Sequence, residues 1–200
     1  AERCLAHGLR LLKEVGPDRL SLREVARAAD LSSAAPYRHF PNKEALLAAL
    51  AARGFRLFEA SLLKGCPDGL HLVTLAQFHE MSRHYVRFAV AQPDYYRLMF
   101  GNLVRDHRSY PDLWAAAQSA FGVIKTVVEV LQRDGSFRPG SSQTMASHLW
   151  SLCHGFVDIH IDGRLRNEHD KKADVVKLFE PHLQLLLEGL KPPMSSSVIR

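Results

Sequence analysis

Cysteine is scarce in this sequence. Cys4, Cys66 and Cys153 are the three present in 200 residues, they lie far apart, and none belongs to a C-x-x-C pair. An odd, scattered set is a poor disulfide framework and suits a reducing cytoplasm. Long hydrophobic runs are missing too: the longest, Ala45 to Ala52, falls far short of the ~20 residues that cross a bilayer. No spanning helix is expected, and a soluble, cytoplasmic protein is. No G-x-S-x-G, Walker or G-x-G-x-x-G stretch occurs, and no cysteine has an evident base beside it, so the usual catalytic signatures are lacking. Histidine is plentiful but poorly arranged for a metal. His79 and His84 flank a segment resembling a zinc-protease helix, yet five residues put them about 140° apart around a helix, too far to share one ion. His154, His160 and His169 lack helical ligand spacing as well. Neither an enzyme, a metal nor a cofactor is expected.

What is present is helix and positive charge. The net charge is +5, with a pI near 9.3. Residues 1–65 carry 11 Lys and Arg against 7 Asp and Glu, whereas the rest carries 15 against 14. Excess charge at one end points to a polyanionic partner, such as nucleic acid or an acidic membrane surface, met by that end.

Every long segment repeats its apolar residues at helical spacing, and no strand pattern or internal repeat occurs. Leu5, Leu9 and Leu12 mark a first helix over residues 2–15, stopped by Gly16-Pro17. Ser21 with Glu24 forms a capping box that opens a second helix to about Ala28. Ser32 caps a third, short helix that ends at Phe40 before Pro41, with Pro36 leaving its first turn irregular. Asn42 then opens a long fourth helix, about 42 to 64. Later helices are expected over about Leu70–Ala91, Pro93–Gly101, from near Pro111 to Asp134-Gly135, Ser142–Ile161 and Asp170–Leu190. The fold class is therefore all-α with about nine helices. A three-helix helix-turn-helix head in residues 1–50 joins, through the long fourth helix, a larger body at 66–190, and residues 191–200 form a flexible tail.

Two short capped helices joined by Ala28-Ala29-Asp30-Leu31 outline a helix-turn-helix, although such pairs also occur in purely structural bundles. Residues 21–46, SLREVARAADLSSAAPYRHFPNKEAL, resemble the DNA-binding signature of the TetR/AcrR family of bacterial transcriptional repressors. Ser32, Tyr37, His39, Phe40, Lys43, Glu44 and Leu46 match its pattern one by one. Asp30 stands where the family usually has glycine, and it tolerates left-handed backbone better than most residues. The resemblance implies that Ser32, Tyr37, His39 and Lys43 contact DNA phosphates. Hydroxyls and a cation are good phosphate donors, and the free amides opening the fourth helix form an anion site. Ser33, Ala34, Ala35 and Arg38 are then the candidates for base edges. Arg38 suits guanine and the alanines suit thymine methyls, while Arg38 could equally serve a phosphate. Phe40 reads as core.

The body resembles the ligand-binding and dimerisation domain that some TetR-type proteins carry, named for Trp, His and Gly; those residues would be Trp150, His154 and Gly155. Tyr85, Phe88, Tyr96, Met99, Phe121, Trp150 and His154 are the candidates for lining an apolar ligand pocket, with plain core as the alternative for each. The penultimate helix is apolar nearly all round and so needs cover on more than one side. With the last helix it supplies a dimer seam, for which Leu149, Leu152, Phe156, Phe179, Leu183 and Leu186 are the candidates. Together these features predict a homodimeric, ligand-responsive regulator, a repressor released from a palindromic double-stranded DNA operator by a small apolar or amphipathic effector. The alternative is a helical small-molecule carrier or enzyme whose head serves assembly.

Overall fold

The structure, a computed structural model, describes residues 1–164 and 174–192. Among these residues there are eight α-helices and no strand: α1 (Glu2–Arg19), α2 (Leu22–Ala28), α3 (Lys43–Leu63), α4 (Leu75–Ala91), α5 (Pro93–Phe100), α6 (Pro111–Arg133), α7 (Ser142–Ile161) and α8 (Val175–Leu190). Single 3-10 turns occur at Pro36–Arg38, Leu70–Leu72 and His107–Ser109. His169, the expected helix start at Asp170 and residues 193–200 of the expected tail lie outside the described residues. The described residues form two compact units, Ala1–Phe58 with Gln92–Ala120, and Glu59–Ala91 with the described residues from Phe121 onward. Both α3 and α6 continue from one unit into the other. No described helix is long and apolar enough to cross a membrane.

In the first unit the helix ends follow local chemistry. Gly16 breaks α1 with a left-handed φ of 76°, where Gly16-Pro17 predicts the stop. The Ser21 hydroxyl accepts the Glu24 amide at 3.2 Å and donates to the Glu24 carboxylate at 3.1 Å. Glu24 thus closes on the serine hydroxyl. Asp30 adopts φ 52°, and Leu31 N–H reaches Ala26 O at 2.9 Å while Asp30 N–H reaches Arg27 O at 3.2 Å. This is the Schellman arrangement, with aspartate in the place of glycine. The Arg3 guanidinium donates to the Ala29 carbonyl and ties α1 across the end of α2.

Leu22, Val25, Ala26, Phe40, Leu46 and Leu50 are buried together with Cys4, Leu5 and Leu12 of α1. By sequence order α5 belongs to the body segment, yet in space it shares the core of this first unit. Gly54 explains how: a Cβ there would lie 2.9 Å from Met99 Sδ, so its absence lets α5 approach α3 closely.

The third expected helix differs. Ser32 to Phe40 is a run of turns containing only the 3-10 turn Pro36–Arg38. Ala35, Arg38 and His39 each bond three residues back, and Phe40 alone bonds four back. Pro36 has no N–H to start an α-helical ladder, and its ring crowds the preceding turn. The 3-10 turn also has no side-chain cap. Eight α-helices rather than nine among the described residues is the consequence.

In the second unit α4, α7 and α8 pack on one another. α4 starts at Leu75, five residues later than its apolar spacing suggests. Thr74 and Gln77 form a reciprocal cap, Gln77 N to Thr74 Oγ1 at 3.3 Å and Thr74 N to Gln77 Oε1 at 2.9 Å. That T-x-x-Q signal is legible in the sequence. Arg83 of α4 donates to Glu180 of α8 at 3.1 and 3.2 Å, and the resulting hydrogen bonds hold the Glu180 carboxyl below its ordinary range.

Candidate nucleic-acid interface

The first unit presents Ser32 to His39 to solvent. Ser32, Ser33, Ala34, Tyr37, Arg38 and His39 are exposed and Ala35 is half-buried. Two side chains hold this strip down, since Pro36 is buried and Phe40 is only 6% exposed. A two-point anchor keeps a non-helical segment in place while its polar groups face outward. The Tyr37 ring, at 48% exposure, is not part of the core. Among the described residues the Arg38 guanidinium has no partner, so it is available to a ligand.

Asn42 caps the next helix by accepting the Ala45 amide at 2.8 Å. Lys43 is half-buried, and its ammonium donates to the Pro17 carbonyl at 2.9 Å. Two of the three ammonium protons remain for an anion, which would also meet the positive end of α3. Phosphate and base candidates therefore sit on one continuous stretch of chain, from Ser32 to Lys43.

The second unit holds a narrow cavity of about 30 Å³, lined among others by Leu62, Phe78, Tyr85, Ile124, Trp150 and Cys153. Of the expected pocket residues it gathers Tyr85 and Trp150. Phe88 is buried away from this lining, and Phe121 is half-buried outside it. His154 stacks on Trp150, ring centroids 5.3 Å apart at 22°, so it stands behind one wall. Burial lowers the His154 pKa. Tyr96 and Met99, at 1% and 0% exposure, belong to the core of the first unit. Helical spacing marks such residues as buried without saying against which neighbour. The lining is nearly all apolar, and burial pushes the Cys153 thiol up to about 12, so it is no nucleophile at neutral pH. Among the described residues no three His, Cys, Asp or Glu side chains are grouped to hold a metal ion.

Four expected seam residues are sealed within the chain: Leu149, Phe156, Phe179 and Leu183 are 2%, 8%, 0% and 0% exposed. Phe156 and Phe179 meet with centroids 5.1 Å apart, joining α7 to α8. Leu152 and Leu186 are half-buried. The exposed apolar side chains on these two helices are Ile159, at 38%, and Leu185, at 72%.

The N-terminal family model of bacterial regulatory proteins, tetR family, matches residues 5–50, and the tetracyclin repressor-like C-terminal domain model matches residues 78–186. The chain belongs to the tetR family and is a DNA-binding, ligand-responsive transcriptional regulator. Trp150, His154 and Gly155 fall within the C-terminal match. Similar solved structures include a protein of unknown function from Rhodococcus sp. RHA1, 28% identical over 94% of both chains with a TM-score of 0.79. A tetR-family regulatory protein from Rhodococcus RHA1 is 19% identical over 95% of this chain and 96% of its own, TM-score 0.70. The TetR-family transcriptional regulator PfmR from Thermus thermophilus is 17% identical over 94% of this chain and 96% of its own, TM-score 0.68. A comparison with curated proteins returned no match.

Proposed function

We propose that the chain acts in the cytoplasm as a homodimeric repressor that binds a two-fold symmetric operator and leaves it when a small apolar or amphipathic molecule enters the second unit's cavity. The observation that carries this reading is the exposed Ser32–His39 strip, anchored by Pro36 and Phe40 and followed by the Asn42-capped α3. Ser32, Tyr37, His39 and Lys43 hold phosphates and set the register; Ser33, Ala34, Ala35 and Arg38 meet base edges. Because the strip is a run of turns with a single 3-10 turn at Pro36–Arg38, its small side chains present a short reading surface and Arg38 carries most of the hydrogen-bonding capacity.

Ile159 and Leu185, exposed on α7 and α8, and the half-buried Leu152 and Leu186 are the apolar side chains that a second copy covers. Leu149, Phe156, Phe179 and Leu183 stiffen that face from within. The cavity is far below the roughly 300 Å³ or more that drug-sized ligands occupy. A ligand must therefore part the helices that line it, and that differential fit is what shifts the conformational balance. Leu62 lines the cavity near the end of α3 and Lys43 begins the same helix, so displacing Leu62 moves the element that carries the phosphate site. DNA and ligand then oppose each other by linkage.

The test is duplex binding by fluorescence anisotropy across salt. Affinity for duplex DNA should fall steeply and linearly on a log–log plot as salt rises. A carrier or enzyme with an assembly head would bind no duplex at any salt.

A further inference from the structure

Resting on the DNA-binding reading above, we propose that Arg105, in the loop between α5 and α6, is a further DNA-backbone contact, gripping a phosphate beside those held by the Ser32–Lys43 stretch. Its backbone N–H donates to Glu44 Oε1 at 3.3 Å. Glu44 follows Lys43 in the first turn of α3, so one glutamate side chain separates the Arg105 backbone from the expected phosphate site. The far end of the same loop converges on it too: Tyr110 lines a shallow groove with His39 and Phe40.

The loop is built rather than loose. Val104, just before the arginine, is 3% exposed. The Asp106 carboxylate accepts from the Arg108 amide at 3.0 Å and the Ser109 hydroxyl at 2.8 Å. His107 packs on Phe55, ring centroids 6.3 Å apart, and the Arg108 guanidinium lies 5.0 Å from the Trp114 ring centroid. Arg108 is thereby occupied. Arg105 is exposed, and its guanidinium has no partner among the described residues.

Charge favours a polyanion at this spot. Three carboxylates lie near: Asp112 is paired with Arg56, Asp106 is tied into its turn, and Glu44 is held by the Arg105 amide. Left alone, Glu44 would repel a phosphate docking on α3. A guanidinium one side-chain length away offsets that charge and supplies forked donors suited to phosphate oxygens.

The substitution Arg105→Gln removes the cation and keeps the backbone bond to Glu44. The probe is a duplex of random sequence about 30 base pairs long, titrated by anisotropy at several salt concentrations, with Tyr37→Phe and Arg133→Gln measured alongside. Arg105→Gln should weaken binding by several-fold and reduce the salt slope by about one, as one lost phosphate contact does. Arg105→Lys should restore most of both, and Arg133→Gln should change neither. Unchanged affinity and slope for Arg105→Gln, with Tyr37→Phe weakened, would overturn the Arg105 contact alone. Absence of duplex binding by the unaltered protein would overturn the DNA-binding reading and this contact with it.

Discussion

Lys43 and Pro17 are 26 residues apart in sequence, and the lysine ammonium donates to the proline carbonyl at 2.9 Å. The residue expected to hold a phosphate is thus also the clasp between the end of α1 and the start of α3. Lys43→Ala should cost about 0.5–1.5 kcal/mol, the usual net worth of one hydrogen bond, and should weaken duplex binding too. Tyr37→Phe, at an exposed ring, should weaken binding with stability unchanged. Thermal melts beside anisotropy separate the two effects, and equal melting temperatures for both variants would contradict the clasp.

Asp30→Gly should stabilise the protein. Asp30 sits at φ 52°, where a side chain costs energy that glycine avoids. The expected gain is about 0.5–1 kcal/mol, or a rise of roughly 1–4 °C at this size. Asp30→Val should move the melting temperature down instead.

The outward face of α7 and α8 can be probed without touching the core. Leu185→Glu, at a 72% exposed position, should give folded monomers by sedimentation, whereas Leu183→Ala, at 0% exposure, should cost about 2–5 kcal/mol through the cavity it leaves. A dimer that survives Leu185→Glu would contradict the assigned face.

Burial holds the His154 imidazole below its ordinary value of about 6.5. The unfolded chain therefore takes up a proton first as pH falls. The stability linked to this group is complete above about 6.5 and declines as pH drops toward the folded value. His84, lowered by burial and by the Arg87 charge, acts in the same direction. Melting temperature should fall between pH 7.5 and 5.5, and His154→Gln should flatten part of that fall. An unchanged slope would remove His154 from the account.

Much of the fold was legible because helix ends are decided locally. Gly16 through its backbone conformation, and Ser21, Asp30 and Asn42 through short-range hydrogen bonds, each end or open a helix where the sequence predicts it. The recognition segment was legible by motif but not by geometry. Pro36 predicted an irregular first turn, whereas the 3-10 hydrogen bonds extend through His39. Burial was readable from periodicity, but neighbours were not, so Tyr96 and Met99 look like pocket residues until α5 is seen against Gly54. Nothing local announces that Lys43 meets Pro17, or that Arg105 meets Glu44 across 61 residues.

A two-fold dimer should read two equivalent half-sites with the Ser32–Lys43 stretch of each copy. Selecting duplexes from a random pool with the purified protein and sequencing those retained checks this. The retained sequences should show inverted symmetry, their half-site centres one helical turn, about 34–36 Å, or a whole multiple of it apart, and Arg38→Ala should abolish that enrichment. Retention without any symmetric sequence, or enrichment unaffected by Arg38→Ala, would contradict it.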